Sequence, residues 1–443
     1  MPELLYGWGR TAPTTATVVP GEALGEVLAA RPSRGVLARG LGRAYGDAAQ
    51  NAGGTVVAMT SAPSPPPSVD AGGVVTASAS TSFEELLRFL VPRGWFVPVT
   101  PGTRHVTVGG AVAADVHGKN HPAAGSWMNH VVAVDVAGPD GTVRTLTPDA
   151  DPDAFWATGG GMGLTGVVTR CRFRAVAIET SRMVVDTARL PDLDAVLATM
   201  AASTSRYGVA WLDASATGPA LGRGVVTTGD HAPHHAVNRA GSDDVLAYRS
   251  RPPVPAPALG LVGRRSVAAL NGLRYRRAPI RRTGQVQTID SFFYPLDAIA
   301  GWNRLYGRRG LIQWQCAVPT GAELVLDAVL ERLRRGGASS FVTVLKRFGA
   351  GNAGPLSFPI AGWTLAVDLP AAPELAPVLD ALDRLVAGAG GRIYLAKDAR
   401  LAPELLETMY PRLAEWRAVR ERLDPGGALQ SDLGRRLGLV ALR

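Results

Sequence analysis

Cysteine is nearly absent: Cys171 and Cys316 are the only two in 443 residues. Two isolated thiols supply neither a disulfide framework nor a CxxC metal motif, so each reads as a small buried hydrophobe and no metal is expected. Lysine is scarcer still for its class, with Lys119, Lys346 and Lys397 the only three among 46 basic residues. No apolar run reaches the roughly 20 residues needed to span a bilayer. The opening stretch MPELLYGWGRTAP lacks the charged and apolar regions of a secretory leader. These absences lead to the expectation of a protein that is cytoplasmic or peripheral to the cell membrane.

What is present describes a folded chain too long for one ordinary core. Hydrophobic residues make up 46% and charged residues 19%, and the length favours two domains. Lys plus Arg number 46 against 37 Asp plus Glu, a net charge of +9. Such an excess suits nucleic acid, an anionic membrane or a phosphorylated substrate. No nucleic-acid motif accompanies it, so nucleic acid is set aside.

Apolar runs at Gly35–Arg39 and Gly54–Met59 flank the turn GLGRAYGD, the pattern of strand, glycine turn, strand. A strand is expected at Gly73–Ser78, then a helix capped by Ser82 with Glu84 and Glu85 in its first turn. Strands at His130–Ala137 and Gly141–Leu146 meet at a Pro-Asp-Gly turn. A short helix at Asp153–Trp156 and a strand at Gly166–Val176 follow. Beyond Ile178 the elements lengthen, with a helix at Leu324–Arg334 and a strand at Ser340–Leu345. Residues 230–285 read as a mobile, basic insertion, containing a proline-rich stretch at Pro252–Pro257. The tail from Ala396 returns to the texture of the first region.

Three glycine clusters stand out: Arg39–Asp47, Pro101–Gly118 and Gly159–Gly166. Glycines at strand ends let backbone turn sharply or approach a ligand, and bare N–H groups there bind phosphate. Three of them point to a large phosphate-containing cofactor. The third holds a formal GxGxxG, Gly161 to Gly166, with Asp186 about 20 residues on. A dinucleotide fingerprint follows a strand and opens a helix; this one follows a helix and opens a strand, so it is set aside. In the second cluster, small residues from Val106 run into His117, Gly118, Lys119 and Asn120. Such a run packs closely, as a core helix or against a flat ring.

Taken together, GWGRTAPT (7–14), ARGLGRAYGDAAQN (38–51), PGTRHVTVGGAVAADVHGKNH (101–121), FWATGGGMGLTG (155–166), PLSFPIAGW (355–363), YLAKDAR (394–400) and MYPR (409–412) resemble the vanillyl-alcohol-oxidase-type FAD superfamily. Within it they are most similar to the decaprenylphosphoryl-β-D-ribose 2-oxidase family of actinobacteria; between about 183 and 285 the similarity is weak. The resemblance implies an α+β, two-domain vanillyl-alcohol-oxidase/PCMH-type FAD-binding fold. Its FAD-binding domain would be residues 1–180 completed by 394–443, and its α+β substrate-binding domain 181–393. It implies oxidation of a ribose 2-hydroxyl in a polyprenylphosphoryl sugar to the 2-keto sugar. That is the first half of an epimerisation to arabinose in cell-wall arabinan synthesis, completed by a separate NAD(P)H-dependent reductase.

By the family's motifs, Arg39, Gly40, Leu41, Gly42, Arg43, Ala44 and Tyr45 wrap the FAD pyrophosphate with Pro101, Gly102, Thr103, Val106, Gly109 and Gly110. Ala113, Ala114, His117, Gly118, Val168 and Tyr394 complete the cofactor set. Superfamily members with covalent flavin carry a histidine in the first loop; Arg43 stands there, which implies non-covalent FAD. The reaction needs an acceptor for the hydroxyl proton and positive charge for the alkoxide and reduced flavin. Lys397 matches the family's active-site lysine, with His117 and Tyr45 as the other catalytic positions. His117 is the conventional choice of base, its ordinary pKa lying nearest neutrality. Gln315, Lys346, Trp314, Phe293 and Ala366 match the substrate pocket. Two of these depart from the best-known mycobacterial members. Ala366 replaces the cysteine trapped there by nitroaromatic inhibitors, and Phe293 replaces a tyrosine.

Leu273, Tyr275 and Ile280, interleaved with Arg274, Arg276, Arg277, Arg281 and Arg282, suit a lipid-phosphate substrate and peripheral membrane contact; a solvated arginine-rich face is the other reading. Two further functions stay open. One is a same-fold oxidase of another sugar, polyol or antibiotic intermediate. The other is a non-catalytic flavin- or lipid-phosphate-binding protein.

Overall fold

A computed structural model describes residues 2–237, 245–248, 250, 252–255, 263–338 and 340–441. The N-terminal part builds two small sheets. In the first, strands lie in the order Pro2–Leu5, Thr14–Pro20, Thr55–Ala58, Val36–Arg39. Its outer pair is antiparallel and the remaining pairs are parallel. The second is wholly antiparallel, in the order Ser68–Val69, Val74–Ser78, Val167–Arg174, Val131–Ala137, Val143–Leu146. The expected strands therefore form, within a few residues of their expected ends.

Local chemistry explains where the helices start. Ser82 accepts from the Glu85 N–H at 3.2 Å while its own N–H donates to Glu85 Oε2 at 2.7 Å, a capping box that opens helix Phe83–Leu90. The small-residue run does not stay helical over three turns. It forms only Val108–Ala113, capped by Thr107, whose hydroxyl accepts from Gly110 N–H at 3.2 Å. The helix stops because Asp115 takes a left-handed conformation (φ 38°), which an aspartate adopts more readily than most residues. Gly161–Gly166 follows helix Pro152–Thr158 and opens strand Val167–Arg174, the wrong context for a dinucleotide fingerprint.

Past residue 181 the chain forms one eight-stranded antiparallel sheet. Its order is Arg281–Thr288, Arg182–Leu190, Gly224–His231, Tyr207–Leu212, Thr343–Phe348, Gly362–Pro370, Leu311–Pro319, Arg392–Ile393. Side chains alternate between faces of a strand, and here the alternation separates core from cleft. Trp314, Cys316, Val318, Leu345, Leu365 and Leu369 turn to one face and join the core with helices Leu193–Ala202, Leu324–Arg335 and Ala376–Gly388. Gln313, Gln315, Val344, Lys346 and Ala366 turn to the opposite face and line a cleft against the glycine loops.

Much of the described part of the insertion expected to be mobile is regular. Arg264–Arg277 is a helix, and Arg281–Thr288 is an edge strand paired with Arg182–Leu190. The stacking of Arg274 over Trp211, at 4.4 Å from the ring centre, helps hold that helix to the sheet. Residues 238–244, 249, 251 and 256–262 of the expected insertion lie outside the described residues.

The C-terminal segment closes back on the first sheet. Leu429 bridges Val36, and Gln430 N–H donates to Val36 O at 3.0 Å. Asp432 accepts from Ala52 N–H at 2.9 Å and from the Thr14 hydroxyl at 3.1 Å. Among the described residues no helix is long and apolar enough to cross a membrane.

Candidate active site

A cleft of about 320 Å³ runs between the glycine loops and the polar face of the large sheet, within the range usual for cofactor sites. Of the expected cofactor residues, Gly40, Leu41, Gly42, Arg43, Ala44 and Tyr45 form one wall. Pro101, Gly102, Thr103, Val106, Gly109, Gly110, Ala113, Ala114 and His117 form the next, with Val168 and Tyr394 beyond. Gln315, Lys346, Ala366 and Lys397 line the same space from the other side.

Four expected residues stand elsewhere. Trp314 points into the core, where its indole donates to Asp383 at 2.8 Å; sharing a strand with Gln315 at odd separation, it must face the other way. Phe293 is buried among Phe96, Tyr207 and Phe292, with ring centres 4.9–5.2 Å away. Arg39 braces the first loop, donating to Ala49 O at 2.6 Å and Tyr6 O at 2.9 Å. Gly118 is pressed against Thr100, whose carbonyl oxygen would lie 2.9 Å from an added Cβ.

The walls fit a flat, phosphate-bearing group such as FAD. A Cβ on Gly40 would strike the Thr107 hydroxyl at 2.4 Å, whereas on Gly102 or Gly163 it would meet nothing within 4 Å. The first loop is thus pressed onto the helix cap, and the other two glycines leave backbone open to the cleft. Two buried polar atoms on these walls have no hydrogen-bond partner, Arg43 Nε and His117 Nδ1. Buried polar groups are rarely left so, and a ligand rich in acceptors and donors would satisfy them.

His117 is held from both sides. Its Nε2 lies 3.0 Å from the Gln315 amide nitrogen, which also reaches the Thr364 hydroxyl at 3.1 Å. The imidazole packs on Phe348, Phe358 and Tyr394 at 4.9–5.4 Å. Burial, together with the charges of Lys346, His121 and Lys397, pushes its pKa well below the ordinary value, so the ring is neutral. The turn leading to His117 is fixed by Asp115. Its carboxylate accepts from Ser126 Oγ (2.8 Å), Ser357 Oγ (2.6 Å), Asn352 Nδ2 (2.7 Å) and the Met128 N–H (3.0 Å). Sequence reasoning missed Asp115, although an aspartate inside a run of small apolar residues was a signal that something must hydrogen-bond to it.

All three lysines gather near this site. Lys397 Nζ stands 3.9 Å above the Tyr45 ring centre. Burial lowers its pKa and so does the charge of Lys346, while Asp368 opposes them. Burial brings Lys346 down to about 8. Lys119 sits behind the cleft, donating to the backbone carbonyls of Phe292 and Phe293, and burial with the Lys346 charge lowers it to about 7. Asp368 and Gln313, hydrogen-bonded to each other, were also missed. Charge in the site is therefore cationic, with amines poised to exchange protons near neutral pH.

Comparison with known proteins places the chain among FAD-dependent oxidoreductases. Residues 17–147 match the family model of an FAD binding domain, and residues 370–437 that of D-arabinono-1,4-lactone oxidase. A decaprenylphosphoryl-beta-D-ribose oxidase from Mycolicibacterium smegmatis is 40% identical across 98% of this chain and 97% of its own. An uncharacterized protein from the mprA 5′ region of Streptomyces coelicolor is 42% identical over 81% of this chain and 100% of its own. Cytokinin dehydrogenase 4 from Arabidopsis thaliana is 32% identical over 31% of this chain and 27% of its own. An FAD-binding model over the glycine loops and a relative matched along nearly the whole of both chains place this chain in the decaprenylphosphoryl-β-D-ribose oxidase family of FAD-dependent oxidoreductases.

Proposed function

We propose that the chain oxidises the 2-hydroxyl of a polyprenylphosphoryl-ribose to the 2-keto sugar, with FAD held non-covalently. The observation that carries this reading is the meeting of Lys346, Lys397, Tyr45 and the Gln315–His117 pair in one glycine-walled cleft. Residues 1–180 with 394–443 would hold the cofactor and 181–393 the substrate. Arg43, in the position of the superfamily's flavin-linking histidine, has no nucleophilic atom to form that bond. Bound FAD supplies the hydride acceptor.

Lys346 and Lys397 provide the positive charge that an alkoxide forming at the sugar hydroxyl requires. His117 takes the hydroxyl proton. The amide of Gln315 engages Nε2, so its rotation decides which ring nitrogen carries the hydrogen. With the amide oxygen toward Nε2–H, Nδ1 is the free acceptor; with the amide nitrogen there, Nδ1–H becomes a donor to the product oxygen. Taking the proton makes the ring an imidazolium, and its lowered pKa drives that proton on to solvent and returns the ring to neutrality.

A 2-keto product calls for a separate NAD(P)H-dependent reductase if the net outcome is epimerisation. A lipid-linked substrate calls for contact with a membrane. From 263 to 289 the chain carries seven arginines and no acid, and Leu270, Leu273 and Ile280 there are exposed, a composition suited to an anionic bilayer surface.

A second reading, oxidation of a soluble sugar or polyol, is supported by the lactone-oxidase match at 370–437. Anaerobic addition of substrate to the yellow protein separates the two. Polyprenylphosphoryl-ribose should bleach the flavin band and soluble polyols should not; equal bleaching by both would overturn the first reading.

A further inference from the structure

On the cleft face of the large sheet lies a carboxylate that neither the family motifs nor the proposed reaction uses. Asp368 is fully buried on strand Gly362–Pro370. It lies on the same face as Thr364, which bonds Gln315, and Ala366, which lines the cleft. Gln313, directly opposite on strand Leu311–Pro319, donates its side-chain amide to Oδ1. The other oxygen, Oδ2, is buried and has no hydrogen-bond partner. An acid in that condition is costly to ionise unless a cation stands nearby.

The cation is Lys397. Its ammonium rests on the Tyr45 ring at 3.9 Å, and Gln313, which holds Asp368, lines the same cleft as Tyr45 and Lys397; the charge of Asp368 raises the pKa of the amine. Neighbouring Asp398 has its charge engaged elsewhere, bonding Arg436 at 2.8 Å. The remaining groups around the pair oppose a proton on Lys397 or are neutral: Lys346 repels it, Tyr45 and Tyr306 are phenols raised by burial, and His117 is uncharged. Among these groups Asp368 favours the charged amine, as does the face of the Tyr45 ring.

We propose that Asp368, held by Gln313, is a positioning residue that favours the protonated form of Lys397 in the catalytic cleft. It touches no reacting atom in this scheme. Its role is to hold back the loss of a proton that burial and Lys346 both drive off. This rests on the reading of Lys397 as the cation of the reaction.

The test uses the scarcity of lysine. With three lysines in the chain, ε-13C-lysine labelling of the holoenzyme gives three side-chain signals, and Lys397→Ala identifies the one of interest. In Asp368→Asn the titration midpoint of that signal should fall by at least one pH unit, with the other two moving less. The basic limb of the rate of flavin reduction should shift by the same amount, so that a tenfold or greater loss at pH 8 is largely recovered at pH 6. Asp368→Glu, which keeps the charge, should retain a near-native midpoint. If Asp368→Asn does not fold, Gln313→Leu provides the second arm: losing the donor disfavours ionised Asp368 and should lower the midpoint in the same direction. An unmoved Lys397 midpoint in the folded variants would overturn the inference. Failure of the underlying reading looks different: Lys397→Ala would then reduce flavin as fast as the native protein.

Discussion

Two glycines on the cofactor walls should fail in opposite ways when enlarged. At Gly102 the backbone is of ordinary hand and an added Cβ meets nothing within 4 Å, because it enters the cleft. Gly102→Leu should therefore leave the apoprotein as stable as before and obstruct the cofactor. Overpacking of a well-fitted site costs about 1–3 kcal/mol, equivalent to a loss of about 5- to 150-fold in FAD affinity. At Gly40 the added Cβ lies 2.4 Å from the Thr107 hydroxyl, which caps helix Val108–Ala113. Gly40→Ala must turn that hydroxyl away, losing a cap worth about 1 kcal/mol, before any ligand is present. Urea unfolding of the two apoproteins, with FAD titration followed by quenching of tryptophan fluorescence, reads both effects. The reasoning is refuted if Gly102→Leu binds FAD as tightly as the native protein, or if it unfolds at as low a urea concentration as Gly40→Ala.

Other consequences follow from the same geometry. Because His117 is held neutral while the pKa values of Lys397 and Lys346 are lowered to about 7 and about 8, the rate of flavin reduction should fall as pH rises through about 7–8. It should show no acid limb at the ordinary histidine value; a limb near 6.5 abolished by His117→Gln would contradict this. Cys171 and Cys316 are buried in the core, and burial pushes Cys316 up to about 12, so the native protein should resist thiol alkylation. Ala366→Cys would place a thiol on the cleft wall, and mass spectrometry should show one added label, blocked by saturating FAD and substrate. Reversing Arg276, Arg277, Arg281 and Arg282 to glutamate should abolish sedimentation with phosphatidylglycerol vesicles, with flavin content unchanged. Equal sedimentation of native and reversed proteins would remove the membrane surface from the scheme.

Legibility of this chain followed the range of the interactions concerned. The Ser82 cap, the Pro-Asp-Gly turn and the glycine loops are written within a few residues, and they appear where expected. The misplaced fingerprint could also be dismissed locally, since the helix before it and the strand after it lie next to it. Parity along a strand was legible but unused: once Gln315 faces the cleft, Trp314 cannot. The strand expected at Ser340–Leu345 runs instead over Thr343–Phe348. The shift matters because the parity of that strand carries Lys346 to the cleft. Asp368 was hidden for a different reason. Its meaning comes from Gln313 on a neighbouring strand and Lys397 beyond the next helix, and no local pattern records either meeting.

Arginine supplies all but three of the 46 basic residues, and that preference makes the positions of the lysines interpretable. A guanidinium stays charged in any protein environment, so it serves for fixed tasks such as the pairing of Arg436 with Asp47 and Asp398. An amine can be brought to neutrality by burial. Lys346 and Lys397 line the cleft and Lys119 stands behind it, each with its pKa lowered mainly by burial. Replacing Lys397 by arginine would keep charge and forfeit titration. Flavin reduction in Lys397→Arg should then lose its dependence on this group above pH 7, even if its overall rate is low. A variant that kept the native basic limb would show that the limb belongs to Lys346.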